Sequence, residues 1–183
     1  MLIRLLNLLG LLGVSLVLLA AFYYQLFQNE LPCPICLLQR GCFVALGIGF
    51  ALNLSVGPSR LHDAMMLVSG LLGAGTALRQ WLLHIAPGDA GYGSPLLGVH
   101  FYTWAFVAFA ASILYVALLL LVEAREGGSA RQQTASVGLL GRLALWLFLL
   151  VVGGNLVSTL LECGFGACAA NPTFYEWLGP RAV

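Results

Sequence analysis

The sequence predicts an all-α integral membrane helix bundle. Of its 183 residues 61% are hydrophobic and only 8% charged, whereas a soluble domain carries about 25% charged residues. Mean hydropathy is +0.96. Five apolar runs approach or exceed the roughly 20 residues that a helix needs to cross a bilayer. The formal net charge is +1, and all eight basic residues are arginines spread along the chain. No basic stripe is present, which argues against a nucleic-acid partner and leaves membrane lipid as the surrounding phase. Neither a nucleotide-binding motif nor a repeat of solenoid period is visible.

The first apolar run, about 5–27, is too long for a signal-peptide core and lacks a small-x-small cleavage site. Gln28, Asn29 and Glu30 then open a loop. The second run, about 37–54, ends at Gly57-Pro58-Ser59-Arg60, a turn-rich stretch. In the third, about 64–84, Ser69, Gly70, Gly73, Ala74 and Gly75 provide small surfaces that let membrane helices approach closely. A Gly/Pro loop over 87–95 leads to the fourth run, about 99–122. The polar stretch 123–136 reads as a solvated loop before the fifth run, about 139–161. In the tail 162–183, Thr173 and Glu176 have capping-box spacing, and Phe174, Tyr175 and Trp177 suit the membrane–water interface. The expectation is one transmembrane domain over 1–183: a four-helix core, a fifth transmembrane helix and a short interfacial C-terminal helix. Asn53 and Asn155 are expected to bond across helices or to backbone.

Arginine asymmetry sets the orientation. Arg4, Arg60, Arg125, Arg131 and Arg142 flank the runs on one side, and Arg181 alone lies outside them on the other. The positive-inside rule places the first group in the cytoplasm, so the N-terminus is inside and the C-terminus outside. Five spans put the first loop and the tail on the same, oxidising face. With four they would lie on opposite faces.

That parity matters because of the cysteines. The first loop reads Leu31-Pro32-Cys33-Pro34-Ile35-Cys36-Leu37-Leu38-Gln39-Arg40, and the tail holds Cys163 and Cys168 around two glycines. Two thiols at Cys-x-x-Cys spacing can close a readily reduced disulfide, and one of them commonly reacts as a stabilised thiolate. Arg40, four residues after Cys36, falls on the same helical face, where its charge and the helix N-terminus would favour a negative sulfur. A structural disulfide or half a zinc site are the plain alternatives for Cys33 and Cys36, zinc requiring further ligands. Cys42, within the second run, reads as an inert buried thiol.

Arg40 and Arg79 both lie about one turn inside the membrane from the outer face. Such charges cost about 3 kcal/mol unless paired or lining a cavity. His84, His100, Tyr102 and Trp104 fall at the same level. The set could hydrogen-bond the carbonyl oxygens of a quinone while its isoprenoid tail stays in lipid. Alternatively Arg79 snorkels to the interface, and Tyr102 and Trp104 are ordinary belt residues.

The ten residues from Leu31 to Arg40, between two spans and supported by Arg79 through Trp104, resemble the disulfide bond formation protein B family of membrane thiol–quinone oxidoreductases. The resemblance covers the first four spans. It implies that Cys33 and Cys36 form the quinone-coupled disulfide, with Cys36 nearest the ring, and that Arg40 holds the quinone, with His84 as the matching histidine. It further implies a bacterial inner-membrane protein with periplasmic redox-active cysteines, a ubiquinone or menaquinone cofactor and a DsbA-like thioredoxin-fold partner. Family members typically carry the second pair in a long loop between spans three and four. Here that loop lacks cysteine, and Cys163 and Cys168 follow a fifth span, making them the expected site of contact with the partner.

Two other readings compete: a membrane thiol reductase of the vitamin K epoxide reductase kind, running electrons the opposite way, and a metal-binding or structural membrane protein. Neither a metal nor a staple accounts for Arg40 beside Cys36. The topology yields a first test. After reduction, a membrane-impermeant maleimide applied from the periplasmic side should label Cys33, Cys36, Cys163 and Cys168 and leave Cys42 unmodified. Labelling of the two pairs from opposite faces would sink the electron relay.

Overall fold

In a computed structural model, which describes residues 2–125 and 137–179, the apolar runs become five helices: α1 (Leu2–Phe27), α2 (Pro34–Ser55), α3 (Arg60–Leu83), α4 (Phe101–Arg125) and α5 (Leu139–Cys163). All five are long and apolar enough to cross a membrane. The chain is thus an all-helical, multi-pass membrane protein. A membrane span must satisfy its backbone groups internally, and a helix does so within itself.

The helix ends follow local chemistry. Cys33 caps α2 with Pro34 in its first turn, and Ser59 caps α3 by accepting from the Leu61 N–H at 3.3 Å. At the start of α4, Leu96 and Val99 exchange two backbone hydrogen bonds around Leu97 and Gly98, both at positive φ. This tight turn delays the helix to Phe101, two residues later than the apolar run begins. At its far end α4 continues through Glu123, which is buried, to Arg125. The expected polar loop is therefore helical over its first three residues, and the rest of it, with Arg131, lies outside the described residues, as does Arg181 in the tail.

Helices α1 to α4 pack in sequence order, with α4 returning to α1, and α5 lies outside this bundle against α1 with a lesser contact to α2. Leu11, Leu18, Leu46, Phe50, Met66, Phe109 and Val116 fill the centre. The Phe43 and Phe109 rings stack at 3.9 Å between centroids. Outward faces carry exposed leucines such as Leu71, Leu72, Leu140 and Leu150. Lipid is as apolar as these side chains, so close fit and hydrogen bonds, rather than water exclusion, hold the helices together. Gly73 lies flat against the Phe109 ring and Gly47 against Phe148 of α5. Asn53 bonds Asp63 across the α2–α3 turn at 3.0 Å, and Asn155 donates to the Val151 carbonyl at 2.9 Å.

The tail departs from expectation. Residues 171–178 form turns, not a helix. The Glu176 N–H that a capping box would engage serves α5 instead, donating to the Glu162 carbonyl at 3.3 Å, and beside it the Trp177 N–H donates to the Leu161 carbonyl at 3.1 Å. These carbonyls belong to the last turn of α5, which has no helical partner for them.

Gly73→Ala would drive a methyl into the Phe109 ring, and overpacking of this kind costs about 1–3 kcal/mol. Its thermal midpoint in detergent should fall. Gly75→Ala, where an added Cβ meets nothing within 4 Å, should show no loss. Equal midpoints for the two would mean that the ring simply gives way.

Candidate functional site: a disulfide above an apolar cavity

Cys33 and Cys36 form a disulfide with a Cα–Cα distance of 4.9 Å. Cys33 is the N-cap of α2, and its Sγ accepts from the Cys36 N–H at 3.1 Å. The α3–α4 loop clasps this segment from outside. Tyr92 donates its hydroxyl to the Leu31 carbonyl at 2.7 Å, and the Glu30 carboxylate accepts from the Ser94 N–H at 3.0 Å and from the Ser94 hydroxyl. Burial, then the Glu162 and Glu30 carboxylates, push the Tyr92 hydroxyl above the ordinary tyrosine range, so it stays protonated as a donor. From α3, the buried Gln80 donates its Nε2 to Cys33 Sγ at 3.3 Å and to Cys36 Sγ at 3.5 Å. Its Oε1 accepts from Gln39 Nε2 at 2.8 Å.

Below the disulfide lies a cavity of about 310 Å³ between α1, α2 and α4. Glu30, Cys36, Gln39, Arg40 and Gln80 are among its polar lining, while Val17, Ala21, Trp104 and Ala105 are among its apolar walls. Mostly apolar walls with a few convergent polar groups are the usual make-up of a small-molecule site. Cys36 and Arg40 share this cavity, as their spacing implies. The guanidinium nevertheless reaches across to α1: Nη1 donates to Gln25 Oε1 at 2.6 Å, Nη2 to the Ala21 carbonyl at 3.2 Å, and the group lies 5.7 Å from the Phe22 ring centroid. Gln25 in turn donates to Ser158 Oγ at 2.6 Å and to the Tyr175 hydroxyl at 3.0 Å. One buried amide thus ties α2, α1, α5 and the tail together.

The other expected ligands sit elsewhere. Arg79 is exposed and outside the cavity lining, and Gln80, one residue on, takes the inward position. His84 and His100 are half-buried outside that lining. His84 Nδ1 pairs with the Asp89 carboxylate at 3.0 Å, and His100 Nδ1 lies 3.1 Å from the Gly93 carbonyl. The two imidazoles stack on Tyr102, at 5.6 and 5.3 Å, and Tyr102 itself lines the cavity. The Gly91 N–H and then His84 hold the Asp89 carboxyl below the usual carboxylate range. Among the described residues no group of three or more His, Cys, Asp or Glu side chains is placed to hold a metal ion.

Cys163 and Cys168 form a second disulfide with a Cα–Cα distance of 4.5 Å. Ser158 and Tyr175, on either side of it in sequence, both meet Gln25 near the C-terminal end of α1, so the two disulfides share one end of the bundle. Cys163 is buried and Cys168 partly exposed. Cys42 is unpaired and half-buried. Gln25, Gln39, Gln80 and Tyr92 were not among the expected site residues. The signal of the three glutamines was modest, amides inside apolar runs that lipid would not tolerate without partners, and Tyr92, in a loop, carried none.

The structure is a five-helix membrane bundle with two disulfides at one end, one of them over a cavity, an arrangement suited to thiol–disulfide exchange at a membrane. Comparisons with known proteins are specific. The family described as Disulfide bond formation protein DsbB matches residues 3–92. A Disulfide bond formation protein B of Burkholderia thailandensis is 30% identical, over 64% of this chain and 89% of that protein. Proteins of the same name from Burkholderia pseudomallei and Xanthomonas axonopodis are 37% and 33% identical, over 46% and 49% of this chain. In those two alignments the chain spans about half of the relative, 52% and 56%. No solved structure matches significantly. The chain belongs to the disulfide bond formation protein DsbB family, and is a disulfide-forming membrane oxidoreductase.

Burial separates the partners within each pair. After reduction, maleimide should modify Cys36 and Cys168 faster than Cys33 and Cys163, read by mass spectrometry of the alkylated peptides. The reverse order would contradict the packing of both segments.

Proposed function

We propose that this protein reoxidises a reduced thioredoxin-fold protein of DsbA type and passes the electrons to a membrane quinone, with both disulfides on the periplasmic side. The single observation behind this reading is the placement of Cys36 and Arg40 on one apolar cavity, at the bundle end that also carries Cys163–Cys168. The cavity suits a quinone: apolar walls for ring and chain, with polar groups from Arg40, Gln39 and Gln80 at the head. A quinone bound there supplies an acceptor for two electrons and two protons. Such an acceptor is needed because a strongly oxidising thioredoxin-fold partner has a reduction potential of about −120 mV, which an ordinary protein disulfide does not reach.

The chain's own residues supply the rest. The partner's thiolate attacks Cys168, the accessible sulfur, and Cys163 leaves; the partner's second thiol then closes the partner's disulfide and leaves Cys163 and Cys168 reduced. Exchange with Cys33–Cys36 passes two electrons on and restores the tail disulfide. The Cys36 sulfur then faces the cavity as a thiolate, while Arg40 supplies positive charge at the cavity head and Gln25 holds its guanidinium in place. His84 and His100 brace Tyr102 at the cavity's edge, and Arg79 has no assigned part in binding.

The test is anaerobic mixing of purified protein with quinone and the reduced partner, following quinone reduction. Replacing Cys163 and Cys168 with Ser should abolish partner oxidation while quinone still oxidises the Cys33–Cys36 pair. Arg40→Ala should raise the quinone KM about tenfold or more, the worth of hydrogen bonds from a charged group, and leave thiol exchange intact. Normal turnover by the double-serine protein would make the tail pair a staple.

A further inference from the structure

The amide pair behind the first disulfide enters the scheme above only as cavity lining, yet Gln80 touches both sulfurs. We propose that Gln80 is a catalytic residue of the Cys33–Cys36 couple, stabilising its reduced form, and that Gln39 is the positioning residue that aims it. This rests on the reading that Cys33–Cys36 is redox-active, but not on quinone being the acceptor.

A glutamine amide has a donor end and an acceptor end, and only one of them helps a thiolate. Gln39 engages the other end of the Gln80 amide. Its Nε2 donates to Gln80 Oε1 at 2.8 Å, which lies 3.9 Å from Cys36 Sγ, and the Gln80 Nε2 group is nearer, 3.3 Å from Cys33 Sγ and 3.5 Å from Cys36 Sγ. Turning the Gln80 amide over with Gln39 in place would set its oxygen against sulfur lone pairs and bring two NH₂ groups face to face. Both glutamines are buried, at 2% and 6% exposure, so water does not compete for the contacts. The amide has two N–H bonds, enough for one on each sulfur.

The contacts change value with redox state. A disulfide sulfur is a weak acceptor. When a dithiol reduces the pair, two electrons break the Sγ–Sγ bond and the dithiol becomes a disulfide. Of its two protons one stays on a cysteine sulfur and the other goes to solvent, leaving one thiolate. A thiolate accepts a charge-assisted hydrogen bond, roughly twice as strong as a neutral one. Gln80 therefore favours the reduced form over the oxidised one and makes the disulfide a stronger oxidant. The Cys36 N–H on Cys33 Sγ, at the N-terminus of α2, acts in the same direction.

The experiment uses the full chain in detergent under anaerobic glutathione buffers, reading the redox state of the alkylated peptide that contains Cys33 and Cys36 by mass spectrometry. Gln80→Leu should shift the exchange constant about tenfold toward the disulfide, equivalent to about 30 mV for a two-electron couple. Gln39→Leu should shift it the same way by less, because Gln80 is intact but free to turn. Cys163–Cys168, read in the same digest, should not move. If Gln80→Leu does not fold, Gln39→Leu decides alone. A folded variant of either kind with the wild-type constant overturns the proposal, as does an equal shift in the tail pair, which would indicate general loosening. A wild-type Cys33–Cys36 pair that never exchanges with glutathione would overturn the redox reading itself, and the proposal with it.

Discussion

The guanidinium of Arg40 cannot sit among apolar helices unless its N–H groups and its charge are met, and much of this end of the molecule is arranged around that requirement. Two of its groups go to α1, to Gln25 and the Ala21 carbonyl. Gln25 is itself buried and must use its own donors, which it does on Ser158 of α5 and Tyr175 of the tail. The docking of the fifth helix and the placement of the second disulfide beside the first are thus tied to one charged side chain. Glu162 is buried nearby, and neither of its carboxylate oxygens accepts a hydrogen bond among the described residues.

Helices and sulfurs contribute different things to the site. The first turn of α2 brings Cys33 and Cys36 together by local geometry alone, with Pro34 starting the helix and Cys33 capping it. The cavity beneath them is a tertiary product: α1 and α4 wall it with small residues such as Ala20, Ala21, Ala105 and Ala108. The family match ends at residue 92, so α4 and α5 lie beyond it. The redox motif therefore falls within that match, while the wall from α4 and the second cysteine pair lie outside it.

What could be read from sequence divides along the same line. The five spans were legible because apolar runs record the membrane directly. The Cys33–Cys36 pair, and the placing of Cys36 and Arg40 on one cavity, were legible because these residues lie within eight positions at the start of one helix. The shared end of the two disulfides followed from counting spans. Contacts that depend on how one helix is rotated against another were not legible. Gln80 meets the sulfurs and Arg79 does not, a difference of one residue, or about 100° around α3. Gln25 meets Tyr175 across 150 positions, and no local pattern announces such a pair. The tail misled for a related reason: Thr173 and Glu176 have the spacing of a helix start, but the unsatisfied carbonyls of α5 claimed the amides.

The Gln25 junction also bears on how such a chain can change over evolutionary time. A helix appended to a finished bundle can usually be gained or lost as a module. Here the added segment shares an amide with the arginine of the cavity, so its removal would leave Gln25 without its Ser158 and Tyr175 partners inside a lipid-embedded bundle. Once that bond had formed, the fifth helix would cease to be an optional attachment. It would become an inherited dependency, open to loss only by lineages that first found Gln25 another partner.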